Sequence, residues 1–119
     1  MKVKKNHSLK NYNTFGVDVK TKYFAEIKNL KELKNILKQY PNEKILILGG
    51  GSNTLLVDNW GGITLKIEIL GIDKVKEEEK EVYIKAYAGE NWDDFVRYTV
   101  KNNWAGIENM VMVPGTVGG

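Results

Sequence analysis

Apolar positions recur along this chain with two different periods, and the period changes near its middle. From Asn29 the spacing is helical. Leu30, Leu33, Ile36, Leu37 and Tyr40 share one face and lysines take the other, which predicts an amphipathic core-packing helix. Asn29 is the expected N-cap, Glu32 completes a capping-box-like pair, and Pro41-Asn42 stops the helix. Before it, Thr21 to Ile27 has the composition of a strand. After it, Ile45–Leu48 is a short apolar run bounded by breakers, which predicts a buried strand. The result is a β-α-β unit whose second strand runs into Gly49-Gly50-Gly51-Ser52-Asn53, at the end where open α/β sheets hold ligands.

Beyond Gly61-Gly62 the pattern alternates with period two. Ile63, Leu65, Ile67 and Ile69 oppose Thr64, Lys66 and Glu68; Val82, Ile84, Ala86 and Ala88 oppose Glu81, Tyr83, Lys85 and Tyr87. Both segments predict half-buried strands, joined as a hairpin through the solvated Lys74–Glu81 run. Asn91 is the expected cap of a second core-packing helix with Trp92, Phe95, Val96, Thr99 and Val100 on its apolar face, ending before Gly106. The shift at Gly61-Gly62 predicts two subdomains, residues 1–62 and 63–119. The segment to Asn11 is polar and Lys-rich and is expected to be loosely held, and Asn13-Thr14-Phe15-Gly16-Val17 supplies an apolar anchor followed by a break. The last residues, Pro114-Gly115-Thr116-Val117-Gly118-Gly119, are loop chemistry suited to close backbone approach, so the sequence is expected to be a piece of a longer protein.

The glycine loop carries the candidate chemistry. Glycines allow φ > 0 and let backbone come close to a ligand, successive N–H groups can converge on an anion, and Ser52 and Asn53 add side-chain donors. This suits a pyrophosphate; a tight Gly-rich turn without a ligand is the alternative. A dinucleotide fingerprint is excluded because the sixth position is Thr54. A nucleotide P-loop is excluded because Ser52 and Asn53, not Lys and Ser/Thr, follow Gly51.

Composition narrows the field further. There are no cysteines, hence no disulfide, thiolate metal site or Cys nucleophile. Nor is there an apolar run near the roughly 20 residues of a membrane span, or a secretory signal, so a cytoplasmic protein without membrane contact is expected. The net charge of +3 rests almost wholly on lysines, and Arg97 is the single arginine. Arginine carries most bidentate phosphate and guanine contacts, so a solvated surface is expected rather than a nucleic-acid face.

Four motifs in order, Asn13–Val17, Ile47–Asn53, Ala88-Gly89-Glu90-Asn91-Trp92, and Gly106–Asn109 running to Val113–Gly119, resemble the amino-terminal part of the UDP-N-acetylenolpyruvoylglucosamine reductase family. They span the chain from Asn11 onward. The resemblance implies an α+β FAD-binding module of the vanillyl-alcohol-oxidase type, truncated, with two small α+β subdomains holding the cofactor between them. It places Leu48, Gly49, Gly50, Gly51, Ser52 and Asn53 at the pyrophosphate and Pro114, Gly115, Gly118 and Gly119 toward the flavin. With no Cys, and His7 in the leading tail, the FAD is expected to be non-covalent. The resemblance further implies NADPH as hydride donor and a UDP-sugar enolpyruvyl ether as substrate, in peptidoglycan precursor synthesis. The family's Arg, Ser and Glu catalytic groups and its substrate-binding domain lie beyond Gly119, so no catalytic residue is assigned; Arg97, Ser8, Ser52 and Glu108 are not put in their place, and Arg97 is read as a surface residue. The competing readings are a stand-alone, non-catalytic flavin or nucleotide module and a small basic nucleic-acid-binding domain. The whole chain alone is expected to be inactive.

Overall fold

Strand β2 (Lys20–Ile27) and strand β4 (Trp60–Ile67) lie side by side and parallel at the centre of a four-stranded sheet, with β1 (Lys4–Ser8) antiparallel on the β2 edge and β3 (Ile45–Leu48) parallel on the β4 edge. This computed structural model describes all residues, 1–119. Helix α1 (Leu30–Gln39) crosses from β2 to β3, leaving a gap between them that β4 fills. Its start follows the sequence reading. The Asn29 side chain accepts from the Glu32 N–H at 2.9 Å, and the Glu32 carboxylate reaches back to the Lys28 N–H at 2.7 Å.

The sheet is buried on both faces. Ala25, Ile27, Ile63 and Leu65 pack with Ile36 of α1; Phe24 packs with Leu9, Val19 and Leu56 on the opposite side. Thr21 and Thr64 are fully buried but satisfied. Thr64 donates its hydroxyl to that of Thr21 at 2.9 Å, and Thr21 donates to the Tyr23 carbonyl at 2.9 Å.

Several expectations are corrected here. The Ile63–Ile69 alternation is not the first arm of a hairpin. Most of it lies in β4, and the hairpin is β5 (Ile72–Glu77) with β6 (Val82–Ala86), so the expected solvated run contributes a strand. Gly61 and Gly62, where the pattern was expected to mark a subdomain limit, lie inside β4. The leading segment is not loose: β1 pairs with β2 from Lys4 to Ser8, and Leu9 is completely buried. Strand β3 is an edge, with Ile45 and Ile47 exposed and Leu48 buried; an apolar run does not by itself say which faces will be covered. Leu37 is 42% exposed and is not a core residue; Ile36 takes that place.

The second part contains the β5–β6 hairpin and α2 (Trp92–Lys101), capped by the Asn91 side chain accepting from the Asp94 N–H at 3.0 Å. Val96 and Thr99 are its only fully enclosed side chains, while Phe95 is half-buried. The radius of gyration is 16.6 Å, against about 13.5 Å for a compact chain of this length. The molecule is accordingly elongated, with one well-filled core and one thin one.

Two predictions follow from the packing. Ile36→Ala should cost about 2–5 kcal/mol by leaving a cavity under α1, whereas Leu37→Ala should cost well under half of that; urea unfolding of both variants checks the ranking. His7, between the rings of Tyr12 and Phe24 (centroids 5.7 and 4.6 Å), has its pKa lowered below 6.5, first by burial and then by Lys4, with Glu26 opposing. The unfolded chain therefore binds the proton more readily, and His7 should make stability fall as pH drops through and below 6.5. His7→Gln should flatten that part of the stability–pH curve; an unchanged slope would count against it.

Candidate functional site

The brace beneath the glycine loop is built by the segment from Leu9 to Val17. Asn13 is buried, and its side chain donates to the carbonyls of Leu9 (2.7 Å) and Val17 (3.1 Å) while accepting from the Val17 N–H at 3.0 Å. Those bonds fold the segment into a rigid loop. Its Thr14 N–H then bonds to the Gly51 carbonyl at 3.0 Å.

Gly51 has φ +68, and a Cβ there would lie 2.0 Å from the Tyr12 carbonyl oxygen. Both its conformation and its contact demand glycine. Of the three consecutive glycines, Gly51 alone has positive φ. At Gly50 the constraint is space: an added Cβ would lie 3.2 Å from the Gly115 Cα.

Gly115 belongs to the second loop of the site. The α2 N-terminus holds this loop in place: the Trp92 N–H bonds to the Gly115 carbonyl at 3.0 Å, and the Trp92 indole donates to the Met110 carbonyl at 3.0 Å. The Val117 N–H bonds to the Glu90 carbonyl at 2.9 Å. Asp93 accepts from the Met112 N–H and from Arg97 Nε, and these two donors, the guanidinium first, hold its pKa low. Arg97 is exposed, as expected, but its partner carboxylate steadies the loop.

The two loops face each other across a cleft of about 550 Å³. Of the residues singled out in the sequence, Gly49, Gly50, Gly51, Ser52, Asn53, Pro114, Gly115 and Gly119 line it. Leu48 lies buried outside the lining, and Gly118 is turned away, with its N–H bonded to the Ala88 carbonyl at 3.1 Å. Thr54, Trp92, Met110, Val113, Thr116 and Val117 also line the cleft and were not singled out in the sequence. Trp92 and Thr116 stood inside recognised motifs, so their position was visible even though their orientation was not.

The cleft offers backbone and hydroxyl donors. The N–H groups of Gly50, Gly51, Ser52 and Asn53 donate to no protein acceptor. The Thr116 hydroxyl is buried without a partner, and a Cβ at Gly49 would lie 2.9 Å from it. The lining side chains carry no formal charge, and the polar ones among them are the hydroxyls of Ser52, Thr54 and Thr116, the Asn53 amide and the Trp92 indole. His7 lies outside the lining.

The pattern of the FAD binding domain family matches residues 21–119. The UDP-N-acetylenolpyruvoylglucosamine reductase of Flavobacterium johnsoniae is 47% identical over 118 residues, which is 99% of this chain and 35% of that protein. The enzyme of the same name from Chromobacterium violaceum is 38% identical over 112 residues, 92% of this chain and 33% of its own. The crystal structure of the Thermus caldophilus UDP-N-acetylenolpyruvylglucosamine reductase superposes with a TM-score of 0.71 at 25% identity, covering 100% of this chain and 41% of that one. The chain spans about a third of the length of the curated relatives it matches.

The brace yields a prediction of its own. Gly51→Ala should lower stability by about 2 kcal/mol or more, roughly 4–8 °C in Tm for each kcal/mol. Gly61→Ala, where nothing lies within 4 Å, is the control and should change Tm little. Equal melting temperatures for the two variants would remove the brace from the account.

Proposed function

The chain belongs to the FAD binding domain family, and on that premise we propose that it is the FAD-holding part of an NADPH-dependent reductase acting on a UDP-sugar enolpyruvyl ether. The carrying observation is the run of N–H groups without a protein acceptor along the glycine loop, Gly49 to Asn53, in a cleft that a second loop also lines and that has no ionisable side chain. FAD fits this donor set. Successive N–H groups suit the diphosphate. The orphaned Thr116 hydroxyl offers a further donor, and the glycines keep the cradle open to close approach. When bound, FAD supplies hydride transfer between the nicotinamide and the enolpyruvyl double bond.

The chain's own residues bind and orient. Gly49 to Asn53 hold the diphosphate, and Pro114, Gly115, Thr116 and Val117 form the wall toward the flavin. Met110 and Trp92 limit water access from the α2 side. With no Cys in the chain and His7 outside the lining, attachment is non-covalent. Residues 1–67 form the first cofactor-binding subdomain and residues 68–119 part of the second. Proton donation and substrate binding belong to residues that this chain does not contain, so turnover requires the remainder of a full-length reductase. For the same reason, the isolated chain is inactive. No helix is long and apolar enough to cross a membrane, which is compatible with a cytoplasmic site of action.

The test is flavin binding by the 119-residue chain, followed through quenching of FAD fluorescence, with Gly50→Val beside it. The branched side chain would meet the Gly115 backbone, so the variant should weaken binding by about tenfold or more while its Tm stays close to the parent's. NADPH oxidation with the UDP-enolpyruvyl sugar should be absent with this chain and present with a full-length reductase. Undiminished FAD binding by Gly50→Val would overturn the site, and turnover by the short chain would place the chemistry in residues read here as structural.

A further inference from the structure

Lys66 is a central-strand residue whose charge the fold leaves without a carboxylate. On β4 it stands opposite Glu26 of β2 on one side and Leu48 of β3 on the other. It takes part in none of the four ion pairs of the chain, although Glu26 is its cross-strand neighbour. Instead its ammonium donates to the carbonyl oxygen of Gly49, at 2.5 Å. The side chain is half-buried and lines a second cleft, shared with Lys28, Glu68, Leu70 and Gly89.

The bond to Gly49 has a geometric consequence. Every peptide in the chain is trans, so the Gly49 carbonyl and the Gly50 N–H point in opposite directions across one rigid plane. Pinning the carbonyl to Lys66 turns the Gly50 N–H away from β4. Gly50 lines the ligand cleft, and its N–H has no protein acceptor. Glycine resists a peptide flip poorly because both backbone hands are open to it. A flipped Gly49–Gly50 peptide would present a carbonyl, the negative end of the dipole, to an incoming anion. A charge-assisted bond of this kind is stronger than a neutral one and holds the plane in the anion-receiving orientation.

We propose that Lys66 is the positioning residue of the diphosphate cradle. It fixes the Gly50 N–H toward the cleft and places an ammonium, hydrogen-bonded to the loop rather than paired with a carboxylate, behind the glycines, so that the site selects a diphosphate-bearing flavin over an uncharged one. This rests on the flavin reading given above. It adds the means of discrimination: the same flavin ring without its diphosphate gains nothing from Lys66.

The experiment measures the affinity of the 119-residue chain for FAD, ADP and riboflavin at low and high salt, in the parent and in Lys66→Met, Lys66→Gln and Lys66→Arg. Lys66→Met should weaken FAD and ADP alike by about tenfold or more, leave riboflavin unchanged and flatten the salt dependence. Lys66→Arg should restore most of the loss. Lys66→Gln, which keeps a donor for Gly49 without the charge, should fall between them. In the free chain, the Gly50 amide should shift in the NMR spectrum of Lys66→Met and not in that of Lys66→Arg. Should Lys66→Met fail to fold, Lys66→Gln and Lys66→Arg carry the comparison. Parent-like FAD affinity in the folded variants, or an equal loss for riboflavin, overturns the role of Lys66 and leaves the flavin reading standing. A parent chain that binds none of the three ligands overturns both.

Discussion

The contact on which the site depends is the one between Gly51 and the backbone of Tyr12. No side chain can stand between them, because a Cβ at Gly51 would be 2.0 Å from the Tyr12 oxygen. Everything that fixes Tyr12 therefore fixes the glycine loop. Asn13 does most of that work with three side-chain bonds to its own loop, and Leu9, fully buried against Phe24, anchors the segment to the sheet. An otherwise floppy triglycine becomes a shaped surface because a neighbouring loop has already lost its freedom, and the entropy of ordering it is met by burial elsewhere.

The cleft itself is a joint product of two unequal parts. The first has a filled core on both faces of its sheet; the second encloses little more than Val96 and Thr99. What the second part lacks in apolar burial it replaces with backbone bonds that grip the closing loop at Gly115, Val117 and Gly118, and with the Glu90 carboxylate accepting from the Gly71 N–H at 2.6 Å. Such bonds are individually modest, near 1 kcal/mol each. Together these bonds position the loop that forms the second wall of the cleft.

Electrostatics divides the labour between the clefts. The side chains lining the ligand cleft are neutral and offer only dipoles, while Lys66 stands behind the loop and acts through a peptide plane. Asp93 and Arg97 form a separate pair whose effect is on the shape of the closing loop.

The sequence by itself determined the elements whose signals are local. Asn29 and Glu32 marked the start of α1, Asn91 marked α2, and the glycines after Leu48 marked the loop, because caps and breakers act within a few residues of themselves. The four ordered motifs carried the family, and most of the residues they singled out do line one cleft. Tertiary structure alone decided which strand pairs with which. Period-two alternation in Ile63–Ile69 says that one face is apolar, but it names no partner, and β4 found two parallel neighbours earlier in the chain, β2 and β3, rather than the segment that follows it. The same limit explains Leu37 and Ile47, apolar positions left open, and Lys66. A lysine on a strand reads as solvent-facing until the fold brings a carbonyl to it from another loop, and no local pattern encodes that meeting.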